Sequence, residues 1–231
     1  MSRMGFLCIV LSVLGVWILP SCFPEALEAS LTRLHLPADL AIIYFCAMLV
    51  GSAVNLPFWR FETKRFVCAD PLSVLGLEGL FPHWTELRKH CVLALNLGGF
   101  AIPGAIAIYE LVRIAAADNP DRTLIAVLLA SCVNVGVSWR LARAVPCVGF
   151  AVPGLITTLV AATSALLLKS SDAPPIAFVA GWLGPVLGTG LKLHTLKDHP
   201  TATASLGGAG TFGAVLLNSV VSAFLSPGAP V

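Results

Sequence analysis

Four kinds of residue in this chain could carry chemistry. The first is glycine at regular spacing. Gly208, Gly210 and Gly213 in GAGTFG fit the G-x-G-x-x-G pattern of a dinucleotide-binding turn. That turn needs a buried strand before it, a helix after it and an acid about 20 residues further on. HPTATASL precedes it as a polar connection, and no Asp or Glu follows Asp198. The pattern therefore does not predict a nucleotide site. The second kind is an acid and a base one helical turn apart, Glu110 and Arg113, read as an interfacial ion pair. The third is a set of amides and a hydroxyl in apolar surroundings: Asn55, Asn96, Asn134, Ser138 and Asn218. These are read as hydrogen-bonding glue between helices, or as the lining of a path for a small neutral solute. Pro103, Pro153 and Pro185 lie in the same apolar runs and could break helices there. The fourth is histidine. His83, His90, His194 and His199 fall in loops, and HTLKDHP is read as a solvated loop rather than a metal site.

The elements that must hold these residues are dictated by composition. Of 231 residues, 57% are hydrophobic and only 11% charged. Soluble domains carry about 25% charged residues, so the chain reads as a polytopic membrane protein. The net charge of +2 says little. A membrane-crossing helix needs roughly 20 mostly apolar residues. Seven candidate spans emerge: Met4–Pro20, Asp39–Pro57, Cys91–Ala115, Thr123–Ser138, Gly149–Leu168, Pro175–Gly190 and Gly207–Leu225. The first is read as an uncleaved membrane helix rather than a signal peptide. The expected fold is all-α, a single transmembrane domain over residues 1–231 with about seven spans.

Cation counts set the orientation. Alternate connections hold ten and four Lys plus Arg. The positive-inside rule then puts the N-terminus in the cytoplasm and the C-terminus outside, in a multi-pass protein of the cell inner (cytoplasmic) membrane. The long connection 58–90 carries Trp59, Trp84, Arg88 and Lys89. It reads as a cytoplasmic interfacial segment anchored by those side chains. The seven cysteines form no C-x-x-C pair and read as small packing residues.

Small residues remain to be explained. Gly184 and Gly188 form G-x-x-x-G, and Gly207, Gly208, Gly210 and Gly213 would line the last span. Glycine faces let membrane helices approach closely. The sixth and seventh spans are therefore expected to pack on each other.

Five segments together resemble a family of bacterial and archaeal integral membrane proteins, domain of unknown function 1614. They are GSAVNLP (Gly51–Pro57), LNLGGFAIP (Leu95–Pro103), NVGVSWRLARAVPCVGFAVPGLI (Asn134–Ile156), APPIAFVAGWLG (Ala173–Gly184) and SLGGAGTFGAVLL (Ser205–Leu217). The resemblance implies a membrane fold and no known activity. It also implies aspartates where this chain has Gly190 and Gly213. Two such acids would suggest an intramembrane aspartic-protease-like fold, here lacking its acids. The expectation is a non-enzymatic subunit packing against other membrane proteins, with a small-solute transporter or channel as the alternative. No cofactor, no metal and no nucleic-acid partner is expected. Bound lipid is.

Overall fold

The computed structural model describes residues 33, 34, 36, 38–69, 86–145, 149–197, 201, 203–208 and 210–222. The expected first span, Trp84, Asp198 and His199 lie outside the described residues.

The chain is mostly helical, as expected, but it is not all-α. Helix α1 covers Ala38–Gly51, and β1 (Asn55–Ala69) pairs antiparallel with β2 (Glu86–Asn96). A π-helical turn, Leu97–Ala101, leads into α2, Ile102–Ala115. Helix α3 spans Pro120–Leu141. A short ribbon of β3 (Arg143–Val145) and β4 (Gly149–Ala151) turns the chain into α4, Gly154–Lys169. A 3-10 turn, Ser170–Asp172, starts α5, Ala173–Gly190. Strand β5 (Thr203–Leu206) joins β2 in parallel. Helix α6 (Phe212–Leu216) runs on as a π-helical turn, Leu217–Val221.

The connection 58–90, expected as an interfacial segment, contains two strands flanking an undescribed stretch. Aromatic and β-branched residues such as Phe58, Trp59 and Val67 suit a pleated surface. β1 is an edge strand, and its pairing slips between Pro57 and Trp59. Proline has no N–H to give the ladder, so an edge and an irregular pairing are where it fits. Trp59 is exposed on that strand, and Arg88 and Lys89 lie on β2. The expected third span is likewise divided. Cys91–Asn96 is strand, and helix begins only at Leu97.

Among the described residues, three helical stretches are long and apolar enough to cross a membrane: Leu97–Ala115, Pro120–Leu141 and Gly154–Gly190. The last passes through the turn at Ser170–Asp172, and its halves α4 and α5 pack on each other. α1 has 14 residues, and the apolar part of the last helix, Phe212–Val221, has 10. Both, as described, are shorter than the roughly 20 residues needed to span.

Prolines set helix starts more often than breaks. Pro103, Pro120, Pro174 and Pro175 stand in the first turns of their helices. A missing N–H is harmless there. Pro153 immediately precedes α4, so among the described residues only Pro185 lies inside a helix beyond its first turn.

α3, α4 and α5 form a three-helix unit. Two polar clamps close its ends. At one end, Lys169 and Asp172 pair at 2.6 Å, and Thr123 at the start of α3 donates to Asp172 at 2.9 Å. At the other, Lys192 Nζ donates to the Ala142 carbonyl at 2.6 Å and lies over the Trp139 ring. Arg140, Arg143 and Lys192 therefore stand at one end of the unit, with Arg122 and Lys169 at the other. The main core lies inside this unit and under α2. Ala130, Ala161, Ala165, Ala173, Ala177 and Ala180 are nearly or fully inaccessible there, and the small side chains let the helix axes approach closely.

Candidate functional site

The expected intramembrane polar residues resolve into three separate joints. The first is where β1, β2 and β5 end. Asn55 and Asn96 face each other across the β1–β2 ladder. Asn96 is fully buried. Its Nδ2 donates to the Ser52 carbonyl at 2.6 Å and to Asn55 Oδ1 at 3.0 Å. Its Oδ1 accepts the Gly99 N–H at 2.8 Å and so caps the π-turn. Ser205 Oγ also donates to Asn55 Oδ1. Neither asparagine lies in a membrane helix, contrary to the sequence expectation. Each stands at a strand end, because the backbone leaves its ladder there and needs a side-chain partner.

Glycine makes this joint possible. A Cβ on Gly98 would lie 2.0 Å from the Met48 carbonyl oxygen. A Cβ on Gly99 would lie 2.0 Å from the Gly207 carbonyl oxygen. Gly207 itself has φ +76°, and Gly208 abuts the Ser205 side chain. Gly207, Gly208 and Gly210 therefore sit in the turn after β5, not on a helix face. α6 starts only at Phe212. Gly213 is exposed, and a Cβ there would meet none of the described residues within 4 Å. The expected glycine face of a seventh span is therefore corrected at Gly207, Gly208 and Gly210, while Gly213 does lie on a helix.

The second joint is between α3 and α5. Asn134 Nδ2 donates to the Ala180 carbonyl at 2.9 Å. Gly184 lies under Asn134 and Gly188 under Ser138, since added Cβ atoms would come within 2.4 Å and 2.6 Å of those side chains. The two pairs ascend together, so α3 and α5 run in the same direction. The close packing expected of Gly184 and Gly188 is present, but α3 is the partner. The Asn134 carbonyl oxygen and Ser138 Oγ have no hydrogen-bond partner.

The third joint binds the end of α6 to α4 and α5. Thr158 Oγ1 donates to Asn218 Oδ1 at 2.7 Å, and Asn218 Nδ2 donates to Thr157 Oγ1 at 2.8 Å. On the other side, a Cβ on Gly181 would lie 2.4 Å from the Asn218 carbonyl oxygen. Asn218→Ala should lower the midpoint of thermal unfolding in detergent. Interhelix hydrogen bonds in membranes contribute about 0.6–2 kcal/mol each, so the loss should be roughly 1–3 kcal/mol. An unchanged midpoint would show that this joint adds nothing.

The four asparagines therefore do not converge on one cavity. A solute path lined by Asn55, Asn96, Asn134 and Asn218 loses its geometric basis. Gly51, Gly98, Gly99, Gly181, Thr157, Thr158 and Ser205 were missed as members of these joints. Gly181 was the most accessible to sequence reasoning. With Gly184 and Gly188 it forms a run of glycines at i, i+3 and i+7 along one side of α5.

The Glu110–Arg113 pair exists, with Arg113 Nη1 3.6 Å from Glu110 Oε2. One partner of the pair is buried, with Glu110 1% exposed. Cys91 is buried on β2, where burial pushes its thiol up to about 11 despite a backbone hydrogen bond. It is thus a packing residue and not a nucleophile. His194 is exposed. Among the described residues no three His, Cys, Asp or Glu side chains gather. Gly190, like Gly213, has nothing within 4 Å of an added Cβ.

The model of a family described as a protein of unknown function, DUF1614, matches residues 49–225. No curated protein and no solved structure matches the chain.

Proposed function

The chain belongs to the DUF1614 family, and from that premise we propose that it is a non-enzymatic, multi-pass protein of the inner (cytoplasmic) membrane. In this reading it serves as an accessory or structural subunit, packing against other membrane subunits with lipid on its remaining apolar faces. The apolar helices support the membrane assignment. The sorting of Arg140, Arg143 and Lys192 to one end of the three-helix unit fits the cation count behind the seven-span topology.

One observation carries the subunit reading. Gly136 is exposed on α3, and an added Cβ would meet nothing. Glycine in a helix costs about 1 kcal/mol relative to alanine. Nothing among the described residues repays that cost. Gly136 continues an outward stripe with Leu129 and Val133, both exposed and apolar. A small residue in an apolar stripe is what lets a second helix come close in lipid. Gly213 repeats the feature on α6. The polar side chains of Asn55, Asn96, Asn134 and Asn218 are meanwhile engaged in joints within the chain.

The test is gentle solubilisation followed by identification of co-purifying membrane proteins. Gly136→Leu and Gly213→Leu should leave melting of the isolated chain unchanged or slightly higher. They should cut recovery of the partner severalfold. A wild-type chain that purifies as a lone, stable monomer would count decisively against the reading.

A further inference from the structure

An ionisable side chain inside a membrane helix needs either a good partner or the loss of its charge. Glu110 has the first only in part. It stands on α2, within the apolar stretch Leu97–Ala115. It shares a helical stripe with Ile106, Ala107 and Ile114, which are buried in the core formed with α3 and α5. Glu110 is itself 1% exposed. Arg113 Nη1 is 3.6 Å from Oε2, longer than a direct hydrogen bond. The Arg113 guanidinium is partly solvated and lies 6.0 Å from the Tyr109 ring centre. Oε1 has no hydrogen-bond partner among the described residues.

Among the described residues, the surrounding elements bring little further charge. The π-turn and α5 contain no Asp, Glu, His, Lys or Arg. α1 carries Asp39 in its first turn, brings Tyr44 to the edge of the same core, and has Cys46 exposed. On α3, Asp121, Arg122, Cys132 and Arg140 are all exposed. Arg33, beside buried Leu34, has an interaction of its own.

A carboxylate with one bare oxygen and one long, half-solvated ion pair is poorly compensated in an apolar core. Adding H+ to Oε1 gives a neutral acid. Releasing H+ restores an anion that Arg113 partly stabilises. We infer that Glu110 is a reversible proton-binding site inside the membrane-embedded core, with Arg113 as the counter-ion of its deprotonated form. The site is contained within this chain and does not depend on a partner subunit.

The full chain, in mild detergent and in phosphatidylcholine vesicles, is treated with dicyclohexylcarbodiimide over a range of pH. A protonated carboxylic acid adds across one C=N bond of the reagent, so the labelled peptide gains the whole reagent mass. Mass spectrometry should find the label at Glu110. Labelling should fall about tenfold per pH unit above its midpoint, following the protonated fraction. A water-soluble carbodiimide should label Glu110 far less. Glu110→Gln, a neutral near-isostere, should fold, lose the label and lose a protonated-acid carbonyl band in the infrared. Arg113→Gln should move the midpoint to higher pH, because the anion loses its cation. No label at any pH, with the same infrared spectrum in the Gln variant, would overturn the inference. So would equal labelling by the water-soluble reagent, or an unmoved midpoint in Arg113→Gln.

Discussion

Gly99→Ala is expected to leave little folded protein. The added Cβ would lie 2.0 Å from the Gly207 carbonyl oxygen and 3.1 Å from its Cα. Both contacts are backbone, so no side-chain end can swing away. Gly207 cannot yield easily, because it sits at φ +76° and its own Cβ position is 2.5 Å from the Gly99 carbonyl carbon. Nor can the π-turn retreat. On its other side Gly98 is pressed against Met48 and Ser52, at 2.0 Å and 2.4 Å from an added Cβ. Overpacking costs about 1–3 kcal/mol, occasionally more, and contact with backbone on two sides places this site at or above roughly 3 kcal/mol. That is a large part of a typical stability of about 5–15 kcal/mol. Gly136→Ala is the matched control. It meets open space and should gain up to about 1 kcal/mol from helix propensity. Thermal melts of the two variants in one detergent decide the matter. Similar melting points would mean that the crossing of the π-turn and the β5 turn is not a rigid contact.

What the sequence disclosed and what it hid follow from the kind of signal each residue carries. Apolar windows located α2, α3 and the α4–α5 hairpin, because composition over about 20 residues is a local property. The same window merged Cys91–Asn96 with the helix beyond it, since buried strand and buried helix are equally apolar. The boundary was nevertheless written in the chain. Asn96 followed by Gly98 and Gly99 is an asparagine cap leading into a glycine turn, and Asn96 does cap Gly99. The parallel pairing of Val92–Leu95 with Thr203–Leu206 was not legible. It joins residues 111 positions apart, and no local pattern encodes such a partner. The glycines show the same division. Gly184 and Gly188 announced a close helix contact, but spacing fixes a face and not a neighbour, so α6 was expected where α3 is found. Gly207 and Gly210 were placed on a helical wheel although both have left-handed φ. The polar HPTATASLGG leading into them is better read as turn punctuation.

Asn96 should be the most sensitive of the polar positions, and its two shortest substitutions should fail differently. The side chain is fully buried and uses both ends of its amide. Oδ1 holds the Gly99 N–H, and Nδ2 holds the Ser52 carbonyl and Asn55 Oδ1. Asn96→Ala leaves a buried N–H and a buried carbonyl facing a void. Each unsatisfied group costs about 1–3 kcal/mol, and the two share one site, so a total of roughly 3 kcal/mol is expected at every pH. Asn55→Ala should cost less, about 1 kcal/mol, because Asn55 is exposed and water can replace it. Asn96→Asp keeps the acceptor for Gly99 but turns the donor into a second oxygen. Two acceptors, the Ser52 carbonyl and Asn55 Oδ1, would then face a carboxylate in a buried site. Burial and those acceptors favour the protonated form, which can still donate to Ser52, so the folded-state pKa must rise above the unfolded value of about 3.9. The native state then binds more protons than the unfolded chain. Stability should be retained below pH of about 4 and should fall as pH rises through the folded-state pKa. Melting Asn96→Ala and Asn96→Asp in parallel across pH separates the two effects. The alanine curve should stay flat where the aspartate curve descends. An aspartate variant that melts like wild type at neutral pH would mean that the amide donor of Asn96 does not hold this joint together.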